Sequence, residues 1–159
     1  MQLKNCWRLL RPFPGLLLIV AASAQMAPTL SVAPLPTVKA KKGADVVVSL
    51  KASLPAGYHA NSNKPTESYL IPLTLKWTGG PLQVDTVTYP KGEMEKYSFS
   101  DKPISVVTGE FSISTKFKVP AEAANGPAAQ TGTLRYQACD NKACYPPKNL
   151  AVNVTVSVE

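Results

Sequence analysis

FSISTKFKV, Phe111 to Val119, is the stretch that decides the fold. Phe111, Ile113, Thr115, Phe117 and Val119 fall on one side of an extended chain, and Ser112, Ser114, Lys116 and Lys118 on the other. Successive side chains of a strand point to opposite faces, so a clean period of two marks a strand with one face in a core and the other in water. The same style recurs along the chain. Val46, Val48 and Leu50 alternate with Val47, Ser49 and Lys51. Leu73, Leu75 and Trp77 alternate with Thr74 and Lys76, and Leu82, Val84 and Thr86 follow a Gly79-Gly80-Pro81 turn. Leu134, Tyr136 and Ala138 alternate with Arg135 and Gln137, and Val152, Val154, Val156 and Val158 close the chain.

Half-buried strands separated by turn signals predict an all-β antiparallel sandwich. Fifteen prolines and the lack of a long 3.6-period segment argue against a helical fold. Ala121 to Ala124 is the one helix-like stretch, a single turn at most. Size and strand number suit an immunoglobulin-like sandwich, although the Cys–Trp–Cys signature of antibody domains is missing. Two connections read as long and irregular, Gly57 to Pro72 and Tyr89 to Pro103. Both hold aromatic and charged residues, and loops of this length in a compact domain are usually functional or disordered.

The N-terminus reads as a targeting segment. Lys4, Arg8 and Arg11 form a basic region, LLLIVAA (Leu16 to Ala22) a short apolar one, and Ala22-Ser23-Ala24 a small-x-small cleavage site. The apolar run falls short of the roughly 20 residues a spanning helix needs. Residues 1–24 are therefore expected to be a cleaved secretory signal, with an uncleaved anchor as the rival reading. Residues 25–36 form a Pro- and Ala-rich extended lead-in, and residues 37–159 the folded domain. Removing the signal lowers the net charge from +7 to +4 and takes away Cys6. Two cysteines remain, an even number in a compartment where disulfides persist. The remaining lysines are scattered, which disfavours nucleic-acid binding.

Those two cysteines lie in YQACDNKACYPP, Tyr136 to Pro147. Parity puts Cys139 on the face opposite Leu134 and Tyr136, at the strand end and on the polar side, where a partner could reach it. Asp140-Asn141-Lys142-Ala143 begins with turn formers, so a hairpin is expected to set Cys139 opposite Cys144 at the roughly 5.5–6 Å Cα separation a disulfide prefers. That register clashes with the apolar face of the last strand (Leu150, Val152, Val154), so one residue must be lost near Tyr145–Pro147. Pro146 and Pro147 lack an N–H and favour such a bulge.

Three readings of the pair remain open on these residues. A staple closing about six residues would stabilise by only ~2 kcal/mol. A zinc site would have two cysteines and His59, three ligands where a structural site uses four; His59 reads as an ordinary loop histidine. A redox-active disulfide needs an accessible sulfur and a leaving thiol in reach, and an exposed short-loop disulfide supplies both. With neither a helix N-terminus nor a cation cluster beside it, a near-normal thiol pKa is expected, and so is slow exchange with random thiols.

YQACDNKACYPP resembles the redox motif of the DsbD N-terminal family. GYHANSNKPTESYLIPLTLKW and YPKGEMEKYSFSDKPISVVTGEF resemble the "disulfide bond corrector" versions of that domain. The resemblance runs from about Val38 to Val158. It implies an immunoglobulin-like sandwich in which Cys139 and Cys144 are the redox pair, passing reducing equivalents to periplasmic thioredoxin-fold partners. It also implies a cap loop over the disulfide, whose match is Tyr97-Ser98-Phe99. No cofactor and no metal are implied, and a monomer is expected. The best-known members place five residues between the cysteines, where this chain has four. The family's membrane-embedded and thioredoxin-like domains lie outside this sequence, so two expectations stand for the electron source: a membrane-embedded donor on another chain, or a further part of a larger gene product of which this is a fragment. The alternative is a secreted immunoglobulin-like binding module with an inert disulfide.

Overall fold

The structure is a computed structural model and describes residues 28–159. The expected signal, its cleavage site and Cys6 lie outside the described residues. Among the described residues twelve strands form three four-stranded sheets. The first sheet holds β1 (Ser31–Val32), β3 (Asp45–Ser53), β9 (Glu110–Lys118) and β6 (Gln83–Thr88), in that order. The second holds β2 (Val38–Ala40), β12 (Lys148–Val158), β10 (Gly126–Tyr136) and β5 (Thr74–Gly79). The third holds β11 (Ala138–Cys139), β4 (His59–Asn61), β8 (Ile104–Thr108) and β7 (Glu93–Glu95). Every pairing is antiparallel except β2 with β12. The fold is an all-β immunoglobulin-like sandwich.

The period-two patterns become the faces of the first two sheets. Val46, Val48 and Leu50 on β3, Ile113 and Phe117 on β9, and Leu134 and Tyr136 on β10 are all buried. Val152, Val154, Val156 and Val158 on β12 are buried with them. Trp77 packs edge-on against Phe117, with ring centroids 5.2 Å apart, and donates its indole N–H to Thr115 Oγ1 at 3.0 Å. Alternation fails on β6. The register shifts between Val84 and Thr86, so Leu82 is buried, Val84 is exposed, and Val87 packs on the core in place of Thr86. An inserted residue in one strand moves the following side chains to the other face.

The lead-in joins the sandwich. β1 pairs with β3, Leu30 is buried, and its N–H donates to the buried Tyr136 hydroxyl at 3.0 Å. The Ala121–Ala124 stretch is a turn, closed by Ala123 N–H to the Pro120 carbonyl at 3.1 Å.

The third sheet caps one end of the sandwich, where strands of the other two continue into it. β8 passes into β9 through Gly109, whose φ of 54° lies in the left-handed region that glycine occupies without strain. β10 passes into β11 at Gln137. The two connections expected to be irregular each contain a strand, β4 in the first and β7 in the second. β4 is buried along its whole length, so its polar sequence has no exposed face to alternate with.

Candidate functional site

Cys139 and Cys144 are bonded, and they face each other as an antiparallel bridge. Their Cα atoms are 3.9 Å apart, closer than the separation expected from the sequence. The hairpin tip is built by Asp140. Its Oδ1 accepts the N–H groups of Lys142 (2.7 Å) and Ala143 (2.9 Å), and its Oδ2 accepts the Tyr145 hydroxyl (3.0 Å). The Asp140 N–H closes the turn on the Ala143 carbonyl at 2.9 Å. A short acidic side chain that bonds the backbone two residues on is a standard turn former.

Those bonds set the local electrostatics. The two backbone N–H groups hold the Asp140 carboxyl below its ordinary range, and the Tyr145 hydroxyl adds to the effect. In return the bond to Asp140 pushes the Tyr145 phenol up to about 12. The carboxylate that follows Cys139 in the chain is therefore already engaged by three donors.

The expected bulge is present. Tyr145 N–H bonds the Ala138 carbonyl at 2.9 Å, which continues the register of the Cys139–Cys144 bridge. Beyond the prolines Lys148 pairs with Tyr136 and Leu150 with Leu134, one residue out of that register. The slip falls at Pro146–Pro147, where two N–H donors are missing. Gln137 braces this break. Its Oε1 accepts Asn61 Nδ2 (3.1 Å) and the Ile71 N–H (3.3 Å), and its Nε2 donates to the Tyr145 carbonyl at 3.1 Å.

Parity put Cys139 on the right face but gave it the wrong exposure. Ala138, Ala60 and Val107 oppose one another and join the main core. Cys139, His59 and Thr108 form the next row, so they share the opposite face. Cys139 was expected to be accessible there, yet it is 0% exposed, while Cys144 is half-buried. The reason is a further layer over that face. His59 stacks on Tyr97 with ring centroids 3.9 Å apart and planes 16° apart, and Tyr97 and Phe99 lie parallel at 5.5 Å.

His59 is thus a buried residue of β4, not a loop histidine. Burial pulls its pKa down to about 4, against the opposing pull of Asp140, so it is neutral at pH 7. Its Nε2 makes no hydrogen bond among the described residues.

Tyr97 and Phe99 occupy a tight turn closed by Ser100 N–H to the Tyr97 carbonyl at 3.2 Å. The Lys96 ammonium reaches the Asp101 carbonyl across the base of this turn. Both rings pack on a small cluster of Leu70, Ile104 and Val106. Ser98 Oγ donates to the Asn141 carbonyl at 2.8 Å, tying the turn to the tip of the cysteine hairpin. Burial, with Glu95 adding to it, pushes the Tyr97 phenol up. On the other flank Tyr58 meets Tyr145 edge-on at 6.1 Å. An open cleft lies between, lined by Gly57, Tyr58, His59, Tyr97, Thr108 and Asn141. Among the described residues no group of three His, Cys, Asp or Glu side chains is placed to hold a metal ion.

The family described as "Thiol:disulfide interchange protein DsbD, N-terminal" matches residues 28–155. This chain belongs to that family. The match covers all the described strands except the last residues of β12, and it includes both cysteines. Among solved structures, the Neisseria meningitidis DsbD N-terminal domain in its reduced form is similar at 21% identity, over 73% of this chain and 82% of that one, with a TM-score of 0.47. The N-terminal periplasmic domain of ScsB from Proteus mirabilis is similar at 15% identity and a TM-score of 0.51. That likeness covers 79% of this chain and 44% of the ScsB chain, and it bears on the fold alone. A search of curated proteins gives no match.

Proposed function

We infer that this chain carries out thiol:disulfide interchange in the periplasm, passing reducing equivalents through Cys139 and Cys144 to thioredoxin-fold partners. The observation that carries the reading is the disulfide's placement. It spans a tight hairpin at one end of the sandwich, on the face turned away from the main core, with one sulfur-bearing residue buried and the other half-exposed. Membership of the family favours this over a binding module with an inert bridge.

The burial difference supports an order of attack. An incoming thiolate reaches Cys144, the more accessible residue, and forms a bond to its Sγ. The Cys139–Cys144 bond breaks, and its electron pair leaves on Cys139 Sγ. A second thiol of the partner then attacks the mixed disulfide at the partner's own sulfur, releasing Cys144 as a thiol. The net change is partner dithiol plus disulfide to partner disulfide plus dithiol; the reverse sequence delivers electrons to an oxidised partner. Exchange rates follow access and the leaving thiol's acidity. Among the described residues no helix N-terminus activates this pair, so a specific, more acidic partner thiol is needed. The Tyr97–Phe99 turn acts as a cap that hinders small thiols and moves aside on docking. Its stack on His59 and the bond from Ser98 to the hairpin tip support this role.

Trapping tests the assignment. With Cys139→Ala, the Cys144 thiolate should displace thionitrobenzoate from a single-cysteine thioredoxin-fold protein carrying that group as a mixed disulfide, leaving a stable mixed disulfide between the two proteins. With Cys144→Ala, the buried Cys139 should form far less. Equal trapping by both variants, or trapping through Cys139 alone, would overturn the order of attack.

A further inference from the structure

His59 has no part in the exchange chemistry so far described, yet it is placed as if it had one. It is the sole histidine of the chain and 2% exposed, and it carries a ring nitrogen without a hydrogen bond among the described residues. Buried polar atoms are paired in the large majority of cases, so an uncommitted one calls for an explanation. The main core offers none, because His59 sits on the other face of β4 from Ala60. What it does face is Cys139. The two are directly opposed across the β4–β11 ladder, and such residues hold their Cβ atoms about 4.5–5.5 Å apart. Tyr97 covers the imidazole from above.

Resting on the exchange reading, the consequence concerns the leaving sulfur. When a partner thiolate bonds to Cys144, the electron pair of the broken bond arrives on Cys139 Sγ. That residue is wholly buried, and burial disfavours a thiolate. The neighbouring Asp140 carboxylate, held ionised by its backbone bonds, adds repulsion. We propose that an imidazole N–H of His59 donates a hydrogen bond to the Cys139 thiolate as the disulfide opens, which makes His59 a catalytic residue of the interchange.

The donor is the neutral ring. Its proton stays on nitrogen throughout, and the thiolate is protonated from solvent once the partner has left. The other groups facing His59 do not supply this bond. Asp140 on the hairpin is an acceptor, Thr108 on β8 lies on the far side of β4, two strands from Cys139, and Tyr97 on the cap presents its ring face. The disulfide form leaves the nitrogen unpaired because its acceptor exists only in the opened form. An interaction made as the reaction proceeds, and absent before it, is the kind that accelerates the step.

The test uses the full chain with His59→Phe, which keeps a flat ring against Tyr97 but removes the N–H, and His59→Gln, which restores a donor. The first measurement is the Cys139 thiol pKa in a Cys144→Ala background, followed by ultraviolet thiolate absorbance. His59→Phe should raise it by about one unit or more, and His59→Gln should return most of the shift. The second is the dithiothreitol reduction rate of the disulfide forms. A leaving thiol one unit less acidic should slow His59→Phe by about three-fold. A purely structural histidine gives the opposite sign, since a loosened cap speeds reduction. An unchanged Cys139 pKa, or faster reduction in His59→Phe, overturns the proposal. Should the phenylalanine variant not fold, His59→Leu against His59→Gln carries the same comparison. The thiol pKa is read without any exchange partner, so it stands apart from the exchange reading. Failure of that reading shows instead as a wild-type disulfide that forms no mixed species with thioredoxin-fold thiols.

Discussion

Replacing both cysteines, as Cys139→Ala/Cys144→Ala, should leave a folded protein that has lost about 2 kcal/mol of stability and all capacity for interchange. The magnitude follows from the loop. The bridge joins residues five apart in sequence, and closing so short a loop restricts the unfolded chain by only ~2 kcal/mol on the chain-entropy estimate. The hairpin keeps its other ties. Asp140 still caps the turn, Tyr145 N–H still bonds Ala138, Gln137 still bonds the Tyr145 carbonyl, and Ser98 still bonds Asn141. The sandwich core lies on the far face and is untouched. Alanine is the informative replacement at Cys139, because a serine hydroxyl buried there adds a desolvation cost of about 1–3 kcal/mol. The assay is urea unfolding of the oxidised wild type and the double variant. With a slope of about 2 kcal/mol per molar urea, the midpoint should fall by about 1 M. A variant unfolded without urea, or one that loses more than about 5 kcal/mol, would show that the bridge is a staple and refute the reasoning.

Truncating Tyr97 and Phe99 together to Ala should speed dithiothreitol reduction several-fold while changing partner exchange less, because a lid excludes reagents that do not open it; equal rates would make these rings packing residues of the Leu70–Ile104–Val106 cluster and nothing more. Tyr136→Phe should leave the buried Leu30 N–H without its acceptor, cost about 1–3 kcal/mol, and lower Tm by several degrees; thermal unfolding checks it. Stability should fall as pH drops from about 6.5 towards 4. The folded pKa of His59 lies below the unfolded value, so the unfolded chain binds the extra proton in that window. Urea midpoints across that range should fall in the wild type and stay flatter in His59→Phe.

The sequence disclosed the sandwich wherever a strand has one wet face. β3, β9, β10 and β12 alternate because water lies on one side of each, and their buried faces followed. It also located the slip near Tyr145–Pro147, since two missing donors and two conflicting parities meet there. β8 and β4 stayed hidden for the converse reason. Val106 and Val107 are buried on both faces, as are His59, Ala60 and Asn61, so neither segment alternates. The β-branched run ISVVT between Pro103 and Gly109 was the available signal for β8.

At the site, the cysteine pair and its facing geometry were readable, because turn chemistry and spacing are local. The burial of Cys139 was not. Parity tells which face a side chain takes, but not whether a loop more than 40 residues upstream folds back over that face. The same blindness hid His59. A lone histidine in a polar stretch carries no pattern, and its pairing with Cys139 exists only through a long-range ladder.

The reduction potential of the Cys139–Cys144 couple tests the central claim most directly. The oxidised protein is equilibrated in dithiothreitol and glutathione buffers of graded poise, and the dithiol fraction is read by thiol alkylation. An interchange disulfide should titrate above about −300 mV, within reach of thioredoxin-fold donors. A bridge that stays oxidised until well below that value would contradict the account and make Cys139–Cys144 a structural tie.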